Sequence, residues 1–214
     1  MTHWTLYGVP GWGSTIAAGA LAWVGEPVEF VDVKGFDHPG PARERLDKVN
    51  PLARVPTLVA PDGTIFTESA AIILSLGDRH PASGLVPAAD DPRRAAFLNR
   101  LMWLVSVVYP TFTYRDYPER WAPLAAGQLR DRVDAFRQSL WRGFDADLAA
   151  GDWVLPGDAP TALDLYVGVM THWRPGRDWF ARETPALLAI AERTQALPAL
   201  APIFAKNFQS GADS

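Results

Sequence analysis

Four places in the chain carry polar groups at spacings that suit chemistry or capping. Ser14 and Thr15 open an apolar repeat, Ile16, Ala17, Ala20, Leu21 and Val24, at helical spacing, which makes Ser14 a natural N-cap. Glu68-Ser69 opens another helical repeat. There the Ser69 hydroxyl, its N–H and the positive helix end suit a carboxylate, while Glu68 suits an ammonium group. An ordinary acidic first turn would look the same. Val55-Pro56 precedes a strand-like run and by itself reads as a plain loop-to-strand proline. Thr161-Ala162-Leu163-Asp164 has the spacing of a capping box, a structural device rather than a catalytic one. His172 reads as a partly buried, hydrogen-bonded histidine rather than a base.

The elements that must position these groups divide the chain in two. Up to residue 79 strand and helix signals alternate. A short strand at 5–7 leads through a Gly/Pro loop at 8–13 into a helix over 14–24, which Gly25 can stop. Residues 28–33 alternate with period two and form a strand. A short helix at 42–49 precedes a strand over 55–59, a turn at 61–63, a strand at 64–66 and a helix at 68–78. The order is β-α-β-α-β-β-α. Residues 80–92, rich in Pro, Ala and Asp, read as a linker. Beyond it only helices are predicted: 93–109, interrupted by Pro110, then 128–150, 162–173, 185–196 and 198–206. The boundaries are 1–79 for an α/β domain and 93–214 for an all-helical one.

Composition narrows the function. The 214 residues are 48% hydrophobic and 21% charged, enough apolar material for a sizeable core and against intrinsic disorder. A net charge of -4 argues against a nucleic-acid partner, which needs a concentrated positive face. With no cysteine there is no disulfide, no thiolate metal site and no cysteine nucleophile on the protein. No basic segment followed by a long apolar run opens the chain, and the apolar stretch 101–109 is about half a membrane span. The expectation is a cytoplasmic protein with neither membrane nor metal.

The β-α-β-α-β-β-α order with Val55-Pro56 opening the third strand is thioredoxin-like. With a helical domain behind it, the chain resembles the cytosolic glutathione transferase superfamily. The matching residues are Leu6-Tyr7 before the Pro/Gly loop, the run from Asn50 to Leu58 containing Pro51 and Val55-Pro56, and Asp62-Gly63 through Glu68-Ser69. The stretch from Gly157 to Asp164 resembles the family's buried capping box. That from Thr184-Pro185 through Leu197-Pro198 resembles its C-terminal helices. The resemblance spans nearly the whole chain and implies an enzyme: a glutathione transferase of glutathione transferase fold, with glutathione as co-substrate and no metal. It also leaves room for a non-catalytic glutathione-binding or protein-interaction member, or a glutathione-dependent lyase, isomerase or peroxidase.

By that resemblance, the Val55-Pro56 bond is cis and Val55 holds the cysteinyl part of glutathione with its backbone. Glu68 and Ser69 hold the γ-glutamyl end, and Arg54, or more weakly Lys34, meets the glycyl carboxylate. The thiol must be activated, because a free thiol of pKa about 8.5 is only about 3% ionised at pH 7. Making thiolate the major form takes about 2.7 kcal/mol of selective stabilisation. The position of the family's usual tyrosine falls on Gly8, and Tyr7 is one residue off and on the opposite strand face. The loop Val9-Pro10-Gly11-Trp12-Gly13-Ser14 resembles the beta-class loop with Gly13 where its cysteine stands. Ser14 is the first candidate, Thr15 the second, and backbone N–H groups of this loop the third. The electrophile pocket is expected between the domains, drawing on Trp12, Tyr109, Tyr114, Arg115 and Trp173. The implied assembly is a homodimer joined through the last helix of the first domain and the long helix after Pro92.

Overall fold

A computed structural model describes residues 3–148 and 151–209. They form two compact units. One gathers the described residues up to Ala88 together with those from Arg193 onward; the other is Ala89–Glu192. The boundaries expected from sequence assigned everything after 92 to the helical part. In the structure the returning C-terminal segment packs with the first unit instead.

The first unit is built on a four-stranded sheet of order β2-β1-β3-β4. Strand β1 (Trp4–Gly8) pairs in parallel with β2 (Val28–Asp32) and antiparallel with β3 (Thr57–Val59), which pairs antiparallel with β4 (Ile65–Phe66). Leu6 at the centre is fully buried. Its neighbour Tyr7 points the other way, as strand alternation requires, and packs on a cluster of Val9, Val33, Phe36, Leu46 and Ala53. Helix α1 (Ser14–Val24) carries Ile16, Ala17, Ala20 and Leu21 inward against β1 and helix α3 (Ser69–Arg79), whose Ile72, Ile73 and Leu76 are equally buried. Gly25, at φ 77°, ends α1 in the left-handed conformation that a residue with a Cβ resists. Between β2 and β3 lies the short α2 (Pro41–Asp47).

The second unit is helical. Here the sequence reading of Pro110 needs correction. Helix α4 (Arg94–Trp103) does not end near it, but passes through a π-helical turn, Leu104–Val108, straight into α5 (Tyr109–Asp116). The proline falls where the hydrogen-bond ladder has already switched register, so its missing N–H does not stop the helix. The resulting 94–116 helix is long and apolar enough by composition to cross a membrane. Its buried residues, Phe97, Leu101, Leu104, Val108 and Thr111, nevertheless form one stripe at three- and four-residue spacing, the pattern of a helix lying on a core.

Helix α6 (Ala126–Ala146) follows, two residues earlier at its start than expected; residues 149 and 150, the expected end, lie outside the described residues. Every residue of α7 (Ala162–Met170) is buried. Helix α8 (Arg177–Glu183) was not foreseen, and α9 (Pro185–Gln195) leads back to the first unit. There α10 (Ala201–Phe204) packs on α1 and continues as a π-helical turn, Ala205–Gln209.

The capping box at the start of α7 is formed as expected. The Thr161 side chain accepts the Leu163 N–H, and Asp164 accepts the Thr161 N–H at 2.7 Å. The other oxygen of Asp164 accepts the Val154 N–H at 2.8 Å, so one buried carboxylate ties two loop segments to the helix. Burial pushes its pKa above the ordinary range, against the pull of these donors.

Candidate functional site

Sheet register determines which segments meet. Tyr7 lies opposite Thr57, and Leu58 opposite Phe66. Gly8 lies opposite Asp32 in the parallel pair. The chain therefore leaves β1, leaves β4, leaves β2 and enters β3 at one and the same end of the sheet. The 8–14 loop, Val55-Pro56, Glu68-Ser69 and Lys34 all belong to that end.

Val55-Pro56 is cis, and neither the N–H nor the C=O of Val55 enters the β ladder. The turn before it is held from within. Asn50 donates to the Thr57 hydroxyl at 2.9 Å and to the Arg54 carbonyl at 3.3 Å, and the Thr57 hydroxyl donates to that carbonyl at 2.8 Å. Arg54 is exposed, and its guanidinium makes no hydrogen bond or ion pair among the described residues. Glu68 is the N-cap residue of α3, extended at φ -115° and ψ 125°, and makes no side-chain cap bond. It too is exposed, whereas Ser69 behind it is buried.

The 8–14 loop is organised around Ser14. Its hydroxyl donates to the Val9 carbonyl at 2.7 Å and accepts the Val9 N–H at 3.0 Å, and the residue is fully buried. Both hydrogen-bonding functions of the oxygen are spent inside the loop. A Cβ on Gly8 would overlap the Ser14 side chain. The absence of a side chain at Gly8 is thus the space that Ser14 occupies. Thr15 is also buried, and its hydroxyl donates to Asn207 Oδ1 at 3.0 Å. The same Oδ1 accepts the Gly11 N–H at 2.9 Å. The Trp12, Thr15 and Ile16 N–H groups are taken by Val9, Trp12 and Gly13 carbonyls. The N–H groups of Gly13 and Ser14, at the positive end of α1, take no part in these bonds. Neither candidate hydroxyl is left as an outward donor.

Trp12 is 45% exposed and meets Phe36 edge-on at 6.1 Å. In the second unit Tyr109 and Trp173 meet edge-on at 5.6 Å, and Phe112 packs against both. Tyr114 and Arg115 have other partners. Tyr114 packs on Trp121 at 4.9 Å, and Arg115 pairs with Asp134 of α6 at 3.4 Å. Asp134 also pairs with Arg137, whose guanidinium is buried and lies over the Phe112 ring at 4.7 Å. Desolvation lowers the Arg137 pKa. Among the described residues no three His, Asp or Glu side chains gather where they could hold a metal ion.

The chain is 44% identical over 202 residues to the Escherichia coli K12 protein described as uncharacterized GST-like protein YncG, covering 94% of this chain and 97% of that one. It belongs to the cytosolic glutathione S-transferase superfamily. Residues 12–84 match that family's N-terminal domain, described as Glutathione S-transferase, N-terminal domain. Two solved transferases agree across the fold. A glutathione transferase homolog from Sulfitobacter with bound glutathione aligns with TM-score 0.82 and 25% identity, over 95% of this chain and 97% of that one. A sphingomonad glutathione S-transferase complexed with glutathione aligns with TM-score 0.76 and 30% identity, over 93% and 96%. Asn207 had no sequence signal, because its partners stand 196 and 192 residues away.

Proposed function

We propose that the chain is a glutathione transferase that binds reduced glutathione at the first unit's sheet end and promotes thiolate attack on a small hydrophobic electrophile. The observation that carries this reading is the convergence, at one sheet end, of a cis Val55-Pro56 with unladdered backbone and an exposed Glu68 at the start of α3. Val55 pairs with the cysteinyl backbone. Glu68 takes the γ-glutamyl ammonium, and Ser69 with the first N–H groups of α3 takes its carboxylate. Arg54 takes the glycyl carboxylate. The solved relatives described as holding glutathione support the assignment.

For the thiolate, Ser14 and Thr15 give way to the third candidate, the Gly13 and Ser14 N–H groups with the α1 dipole. Backbone donors at a helix start stabilise a thiolate without a proton to lose. In the second unit Tyr109 and Trp173 offer ring faces for an apolar electrophile, while the partners of Tyr114 and Arg115 suit them to the framework. The protein acts as a cytoplasmic homodimer; light scattering should give twice the single-chain mass at micromolar concentration, and a single-chain value rejects the dimer. Titration calorimetry with reduced glutathione tests the whole reading. Saturable heat is expected, and none at millimolar ligand with folded protein overturns it. The commitment of both hydroxyls favours one alternative, a glutathione-binding protein without transferase activity. It predicts binding with no acceleration of thiol attack on an activated chloroarene.

A further inference from the structure

Asn207 lies in the π-helical turn Ala205–Gln209, almost the whole chain away from the loop it holds. Its side-chain oxygen takes two donors at once, the Gly11 N–H at 2.9 Å and the Thr15 hydroxyl at 3.0 Å. Its amide nitrogen donates to the Ile203 carbonyl at 2.8 Å, which fixes the amide's orientation and ties the contact to α10. Gly11 stands on one side of the Gly13–Ser14 turn and Thr15 on the other, so one oxygen clamps both flanks of the unspent N–H pair. Gly11 is at φ 78°, and a Cβ there would press on the Asn207 carbonyl at 3.3 Å, so glycine is what lets the two segments approach. Lys206 lies near the Phe30 ring at 5.8 Å, a second contact between this turn and the sheet unit.

We infer that Asn207 is a positioning residue of the thiol site, a clamp from the C-terminal turn that holds the Gly13 and Ser14 N–H groups in the geometry a thiolate needs. The inference rests on the proposed glutathione site. It adds to that site a residue that touches neither the ligand nor the reacting atoms. The clamp acts on the sulfur end alone, because Val55, Glu68 and Ser69 hold the rest of the tripeptide on other segments.

The test compares wild type with Asn207→Ala and Asn207→Asp in the full chain. Thiolate absorbance of bound glutathione is titrated, and the affinity for S-methylglutathione, which has no ionisable thiol, is measured beside it. Loss of the clamp in Asn207→Ala should raise the bound thiol's pKa by about half a unit to one unit, a three- to tenfold loss of thiolate at neutral pH. S-methylglutathione affinity should stay within about twofold, below the effect of a typical lost hydrogen bond. Asn207→Asp keeps the accepting oxygen but places a negative charge near the thiolate, and should also raise the pKa. Thr15→Val removes one of the two clamped donors and should shift the pKa in the same direction by less, a readout that serves if Asn207→Ala does not fold. An unmoved pKa in the folded variants overturns the clamp while leaving the glutathione site intact. Equal weakening of glutathione and S-methylglutathione overturns it too, since that marks a general loosening. Absence of binding by wild type to either ligand overturns the site and the clamp together.

Discussion

Helices α3 and α7 begin with the same kinds of residue and use them in opposite ways. At α7, Thr161 and Asp164 are buried and every oxygen contact is made, including a bond to Val154 ten residues upstream. At α3, Glu68 stands exposed with no cap bond. An acid and a hydroxyl at a helix start are therefore ambiguous until their partners are known. Where the protein itself supplies the donors, the groups are structural. Where an acid such as Glu68 stands exposed at the edge of a sheet with no cap bond, it is open to the ligand role proposed for it above.

The largest effect that would sharpen this contrast is at α7. Asp164→Ala strands the Val154 and Thr161 N–H groups in the core and should cost about 3 kcal/mol or more. Urea denaturation should show a midpoint far below that of wild type; a change under 1 kcal/mol would make α7 no more structural than α3. Glu68→Ala should do the reverse, changing stability by less than about 0.5 kcal/mol and weakening glutathione binding by roughly 1–3 kcal/mol. Calorimetry and denaturation on the same sample read both. Ser14→Ala belongs with α7: losing two buried bonds to Val9 should cost about 1–3 kcal/mol. Thr161→Ala should cost about 0.5–2 kcal/mol.

The smallest effect concerns acid. Asp62 is held at a pKa of about 2 by the Thr64 N–H and hydroxyl and then by Arg79, and Asp91 at about 2 by Arg93. Folded values below the unfolded one mean that each group contributes stability above about pH 4, lost as pH falls toward 2. Asp62→Asn should flatten the acid side of the stability curve, lowering stability slightly at neutral pH and leaving it unchanged near pH 2, as urea denaturation at the two pH values would read.

What could be read in the sequence was local. The β-α-β-α-β-β-α order of the first unit, the Val55-Pro56 junction and the Thr161-x-x-Asp164 box are each written within a few residues and are each present in the structure. Ser14 opens α1 as expected, but Gly13 and not Ser14 is the N-cap residue, and the Ser14 hydroxyl's partner, Val9, depends on how the 9–14 loop folds back, which spacing does not encode. Pro110 misled because the preceding π-helical turn is a ladder feature with no side-chain signature. The partners of Tyr114 and Arg115, Trp121 and Asp134, lie in later segments. Asn207 was invisible for the strongest reason, a separation of 196 residues from Gly11.

That separation has a consequence for how the molecule comes into being. The sheet of the first unit has all its strands once residue 66 exists, and its packing helices by residue 79. The Gly11 amide and the Thr15 hydroxyl, however, have no Asn207 until 196 and 192 further residues have been made. A nascent chain emerging from the N-terminus can close its sheet early and still carry an unanchored loop through the making of the entire helical unit. Long-range closures of this kind are slow to form, because the ordering of the intervening chain precedes the contact. The turn that carries Asn207 thus completes a loop laid down 196 residues before it.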